Sequence, residues 1–304
     1  MKKRNTHKMK QSWDDIIFSE ACNLLLIVFV LVVFYPLWFV VMASVSDPTF
    51  VNRGDFLVYP KGFNLMGYEE VFRTESIWIG YGNTILYTVC GTILGTAVTV
   101  LAGYALSRKD LPGRGLLMKI FVFTMYFSGG MIPFYLVVKS LGMVNNRMTL
   151  IILGSVSAYN MIVVRSFMES NIPDELMDAA TIDGCGNGRF FSTIVVPLSK
   201  AVIAVIVLYI AVSHWNSYFN AMIFMTDTNK YPLQLYLREL LLTSSSLGDD
   251  MSQYMDPEAL EAMQSLVEVL KYAVIVVATA PIICVYPFIQ KYFVKGVMIG
   301  SVKG

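Results

Sequence analysis

Residues that could bind a metal ion or attack a substrate are scarce in this sequence. It contains two histidines and four cysteines in 304 residues, and no two cysteines form a CxxC pair. Zinc sites and disulfide frameworks need tighter clustering, and two histidines exclude a histidine-rich metal site. We therefore predict no catalytic residue and no metal site. We interpret the cysteines as small apolar side chains; they are Cys22, Cys90, Cys185 and Cys284.

The run 184–188, Gly-Cys-Gly-Asn-Gly, is rich in glycine like a phosphate-binding loop. It follows a predicted helix and not a strand, and the chain has no G-x-x-x-x-G-K-[ST] pattern. We expect no ATP hydrolysis and no cofactor in this chain. The long apolar blocks also contain no acidic residue once the boundary residue Glu268 is set aside, which argues against a proton- or sodium-coupled carrier.

The most distinctive pattern lies between the fourth and fifth apolar blocks. Pro173 can occupy the first turn of a helix, where its missing N–H costs nothing. Leu176, Ala179 and Ala180 follow at the spacing of one helical face. Gly184 can end the helix in a left-handed conformation with positive φ. The pattern predicts a short helix with small residues on the face that would dock into a partner.

A second short helix is expected directly after this turn. Phe190, Phe191 and Ile194 begin it, and Pro197 precedes the next apolar block. The product is a helix-turn-helix outside the apolar blocks. The competing interpretation is an ordinary amphipathic segment at a membrane interface.

The spacing within this segment resembles a family motif. Asp178-Ala179-Ala180, three residues, Gly184, nine residues and Ile194-x-Val196-Pro197 resemble the EAA loop of bacterial ABC importer permeases. The family pattern has Glu for Asp178 and Leu for Val196. In that family the loop forms coupling helices that seat in a cleft of the ATPase subunit. The resemblance implies an ATPase-coupling role for Asp178, Ala179, Ala180, Asp183, Gly184, Ile194 and Pro197.

Other segments extend this resemblance along the chain. Residues 101–108 and the pair Trp215-Asn216 look like maltose-type sugar permeases. Residues 127–133 and the tail 290–304 resemble a branch of that class usually assigned complex oligosaccharides. The implied fold is the all-α, six-helix type I importer permease, a single transmembrane domain over 1–304 in the bacterial cell membrane.

The same resemblance implies an assembly and a transported solute. The expected partners are a second homologous permease, as a heterodimer, two ATPase subunits that hold ATP and Mg, and an extracytoplasmic solute-binding protein. The expected substrate is a carbohydrate, and no nucleic-acid partner is implied. The alternatives are a permease for a non-sugar solute, an ion-coupled secondary carrier, and a membrane-embedded enzyme or scaffold.

Several polar and aromatic residues fall within or near the apolar blocks, where an unpaired amide is costly. They could line a sugar pathway, because amides hold sugars and aromatic rings stack on them. They could equally make helix–helix hydrogen bonds or belong to the interfacial aromatic belt. The pathway candidates are Asn83, Tyr126, Asn160, Trp215, Asn216, Tyr218 and Asn220.

The composition indicates that the chain consists mainly of membrane helices, which would position the pathway candidates. The chain is 56% hydrophobic and only 15% charged, with a mean hydropathy of +0.59. A block of about 20 apolar residues crosses the hydrocarbon core as a helix. We predict six spans, the first being a retained helix and not a cleaved signal peptide. They are approximately 24–45, 80–107, 118–138, 148–167, 201–224 and 269–290.

Charge sets the orientation of these spans. With both termini cytoplasmic, 15 of the 23 lysines and arginines fall on the inside, as the positive-inside rule favours. The segment 171–200 is then cytoplasmic, and the loop 227–268 is external.

Two glycine patterns lie inside predicted spans. Gly91 and Gly95 form a GxxxG motif, which predicts close helix packing within this chain or with the partner permease. Gly129 and Gly130, followed by Pro133, interrupt the third span. The interruption is either a packing kink or a hinge or unwound segment that lines the pathway.

Overall fold

The computed structural model describes residues 12–54, 58–250 (243–250 by their backbone only), 256, 265, 267–284 and 287. Regular structure in these residues is helical throughout. The helices are α1 (Trp13–Ser44), α2 (Pro48–Asn52), α3 (Met66–Arg73), α4 (Glu75–Ser107), α5 (Arg114–Tyr126), α6 (Met131–Ser140), α7 (Arg147–Ile152), α8 (Ala158–Asn171), α9 (Asp174–Ile182), α10 (Asn187–Phe190), α11 (Val196–Leu198), α12 (Lys200–Trp215), α13 (Phe219–Phe224), α14 (Leu233–Asp250) and α15 (Val267–Cys284). A π-helical turn, Phe191–Val195, joins α10 to α11, and a 3₁₀ turn, Thr228–Lys230, precedes α14.

Three helices of the described residues are long and apolar enough to cross a membrane unaided: α1, α4 and α15. Two bent pairs also pass that test, α5 with α6 and the segment Asn187–Leu198 with α12. By length and composition these make up to five spans, where six were predicted. The helices α1 and α4 lie over the predicted spans 24–45 and 80–107, and both begin earlier in the chain. The end of the predicted span 269–290 lies outside the described residues apart from residue 287.

Three predicted spans are interrupted. The span 118–138 is α5 and α6, which meet at 116°, and Gly130 between them has φ 86°. The span 148–167 is α7 and α8, separated by a non-helical stretch that contains Gly154 at φ 89°. The span 201–224 is α12 and α13, which are separated at Asn216–Tyr218. Glycine tolerates positive φ without steric cost, so two of the breaks occur where glycine permits them.

The chain divides into two compact units. The first comprises Met1–Glu69 and Met251–Val276, and its small core contains Ala43 and Val51, with Phe39 and Tyr272 packed on them. Most of α1 presents its apolar side chains outward, as expected of a helix that faces lipid or a partner subunit.

The second unit, Glu70–Asp250 and Val277–Gly304, is organised around α4. This helix packs against α7, α8, α12 and α14. A Cβ at Gly91 would overlap the His214 ring of α12, and a Cβ at Gly95 would overlap the carbonyl oxygen of Ser155. The GxxxG motif therefore brings helices of this same chain together.

Asn145 joins two loops at one end of this unit. It is the non-glycine residue with positive φ in the described part of the chain, at 59°. Its backbone N–H donates to the Phe224 carbonyl at 2.7 Å, and its side-chain oxygen accepts from the backbone N–H of Asp227 at 3.2 Å. Its carbonyl accepts from the Lys230 ammonium at 2.9 Å. These bonds fix the chain between α13 and α14 against the turn before α7.

Candidate functional site

The segment predicted to be a helix-turn-helix forms one. α9 begins after Pro173, carries two acidic residues in its first turn, and is followed by Asp183 and Gly184. Gly184 has φ 73°, which confirms the left-handed conformation expected there. The next residue, Cys185, donates its backbone N–H to the Ala180 carbonyl at 2.8 Å and closes the turn. α10, the π-helical turn and α11 then lead back to α12.

The two alanines of the motif point in different directions. Ala180 is 7% exposed and belongs to a buried cluster with Val164, Met168 and Phe190. Ala179 is exposed. The expectation that Leu176, Ala179 and Ala180 share one docking face is therefore wrong, because α9 needs its Ala180 side to pack against α8 and α10.

The outward face of α9 carries three apolar side chains among its charged and polar ones. Leu176 is 39% exposed and Ile182 is 87% exposed, and Ala179 lies midway between them in sequence. Residues three apart follow one another along a helix surface, so the three form the exposed stripe Leu176, Ala179 and Ile182. An 87% exposed isoleucine outside the apolar blocks is the kind of side chain that a partner covers. No local sequence pattern distinguishes Ile182 from the other residues of α9.

The remaining residues of the predicted coupling set are spread over the hairpin. Asp178 and Asp183 are exposed on α9 and at its end. Ile194 is half-buried in the π-helical turn and packs against the cluster that holds Ala180. Pro197 is exposed in α11, which meets α12 at an 81° bend.

Ion pairs tie α9 to the loop after α4. The Lys109 ammonium lies 2.5 Å from the Asp174 carboxylate, which raises the pKa of Lys109 through their hydrogen bond. In the same loop the Arg108 guanidinium donates to Asp110 at 2.7 and 2.8 Å and lowers the pKa of that carboxyl. These side chains are largely exposed apart from Arg108, so water screens the interactions and each contributes little to stability.

Glu169 on α8 forms ion pairs that are less exposed to solvent. Its carboxylate pairs with Arg114 at the start of α5 and with Arg165 of α8, the latter at 2.9 Å. Nε of Arg165 also donates to the carbonyl of Leu106 near the end of α4, at 3.2 Å. Glu169 and its two arginine partners thus connect α4, α5 and α8 beside the α9 hairpin.

An open cleft of 790 Å³ lies between these elements. Its walls come from the end of α4, the loop before α5, the end of α8 and one side of α9. The charged residues that line it are Arg108, Lys109, Asp110, Arg114, Arg165, Glu169, Asp174, Glu175 and Asp178. Both signs alternate around it, so the cleft has no uniform charge.

Two pathway candidates are structural. Asn83 is 5% exposed, and its side-chain nitrogen donates to the carbonyls of Asn229 and Tyr231 at 2.8 and 3.0 Å. Trp215 is 8% exposed, and its Nε1 donates to the carbonyl of Ala278 at 3.0 Å. Their hydrogen-bonding groups are occupied within the chain, which favours the packing interpretation over the pathway interpretation.

The other pathway candidates are more accessible. Asn216, Tyr218 and Asn220 lie together at the break between α12 and α13, where Tyr218 is 41% exposed. Tyr126, at the end of α5, is 87% exposed, and Asn160 is half-buried on α8. The fold thus brings three of the seven candidates to one helix break.

Comparison with known proteins decides the family. Residues 95–299 match the model of the binding-protein-dependent transport system inner membrane component. This chain belongs to that family. It is a transport permease component, and it is a multi-pass membrane protein.

Individual relatives cover nearly the whole permease. It is 42% identical, over 92% of its length and 96% of the relative, to the polygalacturonan/rhamnogalacturonan transport system permease protein YtcP of Bacillus subtilis. It is 38% identical to protein LplC of the same organism, over 98% and 99%. A chain of a crystal structure described as a bacterial ABC transporter involved in import of the acidic polysaccharide alginate matches with a TM-score of 0.83 and 33% identity, covering 94% of the permease and 100% of that chain.

The family match in the permease includes the α9 hairpin and Glu169, and it leaves out α1.

Glu169 carried a weak sequence signal, since it follows Arg165 by four residues, which is the helical spacing for an ion pair. Its second partner, Arg114, is distant in sequence and had no such signal. Asn145 carried a weak local signal, since asparagine adopts positive φ more readily than other non-glycine residues.

Proposed function

We propose that this permease imports an oligosaccharide as half of the membrane pathway of an ABC transporter. The observation that carries the proposal is the α9 hairpin, which presents apolar side chains outward and packs against α8 through Ala180, beside the ion pairs of Glu169 that connect α4, α5 and α8. The relatives named for polygalacturonan/rhamnogalacturonan and alginate transport support the carbohydrate class.

The proposed assembly has four kinds of subunit. A second, homologous permease forms a heterodimer with this one, two ATPase subunits hold ATP and Mg, and an extracytoplasmic solute-binding protein delivers the sugar. The stripe Leu176, Ala179 and Ile182 seats in a cleft of one ATPase subunit. When ATP closes the ATPase dimer, α9 moves with it, and the packing of Ala180 against α8 passes that movement to the spans.

The proposed topology has six spans with both termini in the cytoplasm, as the distribution of lysine and arginine favours. The coupling set is Asp178, Ala179, Ala180, Asp183, Gly184, Ile194 and Pro197, with Ala180 and Ile194 acting by packing the hairpin. The pathway set is Tyr126, Asn160, Asn216, Tyr218 and Asn220.

Reconstitution tests this function. The permease, its partner permease and the ATPase subunits are placed in proteoliposomes with the solute-binding protein, and uptake of a labelled oligogalacturonate and ATP hydrolysis are measured together. Uptake that requires both ATP and the binding protein supports the proposal. Uptake driven by an ion gradient without ATP would instead establish a secondary carrier.

Cysteine labelling tests the orientation separately. In the single-cysteine variants Gly186→Cys, in the hairpin turn, and Gly248→Cys, in the predicted external loop, a membrane-impermeant thiol reagent should reach the first only from the cytoplasm and the second only from outside. The reverse pattern would overturn the proposed topology.

A further inference from the structure

An arginine and a tyrosine meet where α12 gives way to α13. The guanidinium carbon of Arg238, on α14, lies 6.0 Å from the centre of the Tyr218 ring. Such a cation–π contact holds the flat guanidinium group in place over the ring. Tyr218 keeps 41% of its surface exposed, so a molecule arriving at the helix break can reach the pair.

The charge of Arg238 is not neutralised by a carboxylate of the described residues. Salt bridges in this part of the chain hold Arg108, Arg114 and Arg165, whereas Arg238 is in none of them. The adjacent acid, Glu239, lines a small cavity with Tyr236 and Ser76, and consecutive helix residues point about 100° apart. A half-buried guanidinium of this kind offers its N–H donors to an incoming anion.

We infer that Arg238 and Tyr218 form a subsite for the carboxylate of an acidic sugar at the outer end of the pathway. The inference rests on the proposed import of an oligosaccharide and names its chemical class. Arginine pairs with carboxylates through two parallel hydrogen bonds. Tyr218 acts as the positioning residue for the guanidinium, and the exposed amide of Asn216 at the same break can bind sugar hydroxyls.

The relatives fit this chemistry independently of the contact itself. The solved transporter is described as importing an acidic polysaccharide. A neutral oligosaccharide would leave the guanidinium without a partner, whereas a uronate supplies one.

The test uses the complete transporter in proteoliposomes with its binding protein. Labelled trigalacturonate is compared with its methyl ester, which has the same size without the charge. Arg238→Gln should lower trigalacturonate uptake about tenfold or more, since a charge-assisted hydrogen bond of this kind is lost. Arg238→Lys should retain part of the uptake. Tyr218→Phe should behave like the wild type, whereas Tyr218→Ala should raise the KM for uptake more than it lowers the maximal rate.

Arg73→Gln is the matched control, because it removes an exposed positive charge from the predicted outer side without a ring beneath it. Retention of the binding protein on the vesicles is measured in parallel and should be unchanged in every variant. Wild-type uptake by Arg238→Gln would overturn the inference, and so would loss of binding-protein retention in step with uptake. Preference of the wild type for the methyl ester would overturn it and leave oligosaccharide import standing. Uptake of neither substrate would contradict the proposed function itself.

Discussion

Nζ of Lys109 lies 2.5 Å from Oδ2 of Asp174, and this contact joins the loop after α4 to the first turn of α9. Both side chains are mostly exposed, at 76% and 64%. The carboxylate of Glu169 is more protected, at 30% exposure, and serves two guanidinium groups. The two ion-pair sites beside the hairpin therefore differ in how far water screens them.

The first prediction compares these two sites. Glu169→Ala should lower the free energy of unfolding by about 1–3 kcal/mol, because two partly buried guanidinium groups lose their acceptor. It should also reduce ATP hydrolysis stimulated by the binding protein. Lys109→Ala should leave both properties near the wild type, since water screens its contact. Thermal unfolding in detergent and ATPase assays measure these effects, and equal damage by the two variants would contradict the assignment.

The second prediction concerns the turn after α9. Gly184→Val should disturb the hairpin by about 1–2 kcal/mol because φ is 73° there, and Gly184→Asn should be tolerated better. Among the described residues, no atom beyond the two chain neighbours lies within 4 Å of the position a Cβ would take, so the effect should depend on backbone conformation and not on side-chain volume. Copurification of the ATPase with tagged permease measures the outcome. Equal copurification by both variants would show that the conformation of this turn does not matter.

The third prediction separates the two alanines of the motif. Ala180→Leu should destabilise the permease itself by about 1–3 kcal/mol, because the added atoms enter a packed cluster. Ala179→Leu should leave thermal stability unchanged and reduce ATPase copurification. The two substitutions are identical in size, so each is the control for the other. If Ala179→Leu destabilised the permease as much as Ala180→Leu, the exposed stripe would be misplaced.

The fourth prediction concerns two glycines of α4. Gly95→Ala should lower the yield and thermal stability of the folded permease, because its Cβ would overlap the Ser155 carbonyl oxygen, a backbone atom that cannot turn away. Gly82→Ala is the control on the same helix, because no atom of the described residues beyond the backbone of its own helix lies within 4 Å of a Cβ there. Size-exclusion chromatography and thermal unfolding compare them. Equal behaviour of the two variants would contradict close packing at Gly95.

The helix-turn-helix could be predicted because its signals are local. Pro173 and Gly184 bracket α9, and the structure places the helix at Asp174–Ile182 between them. The spacing of residues in the motif could not show which side of α9 packs inward. Ala179 and Ala180 are chemically identical and differ only by one helical step of about 100°, so the neighbouring helices settle the choice.

Contacts between residues far apart in the sequence could not be predicted from local sequence patterns either. The partner of the Asn83 amide is the carbonyl of Tyr231, 148 residues further along. An asparagine in an apolar run looks the same whether it binds a substrate or a backbone carbonyl. The breaks at Gly130 and Gly154 had glycine signals, but the 116° angle between α5 and α6 depends on packing that composition does not encode.

The glycine contacts of α4 restrict how the spans of this permease rearrange. Gly91 faces His214 of α12 and Gly103 faces Val164 of α8, at 2.6 Å from an added Cβ. Sliding α4 by one turn would place Thr99 or Ser107 where Gly103 meets Val164, so a bulkier side chain would occupy that point of close approach. Sliding between α4 and α8 is therefore costly, and we expect a switch in access to move these two helices together.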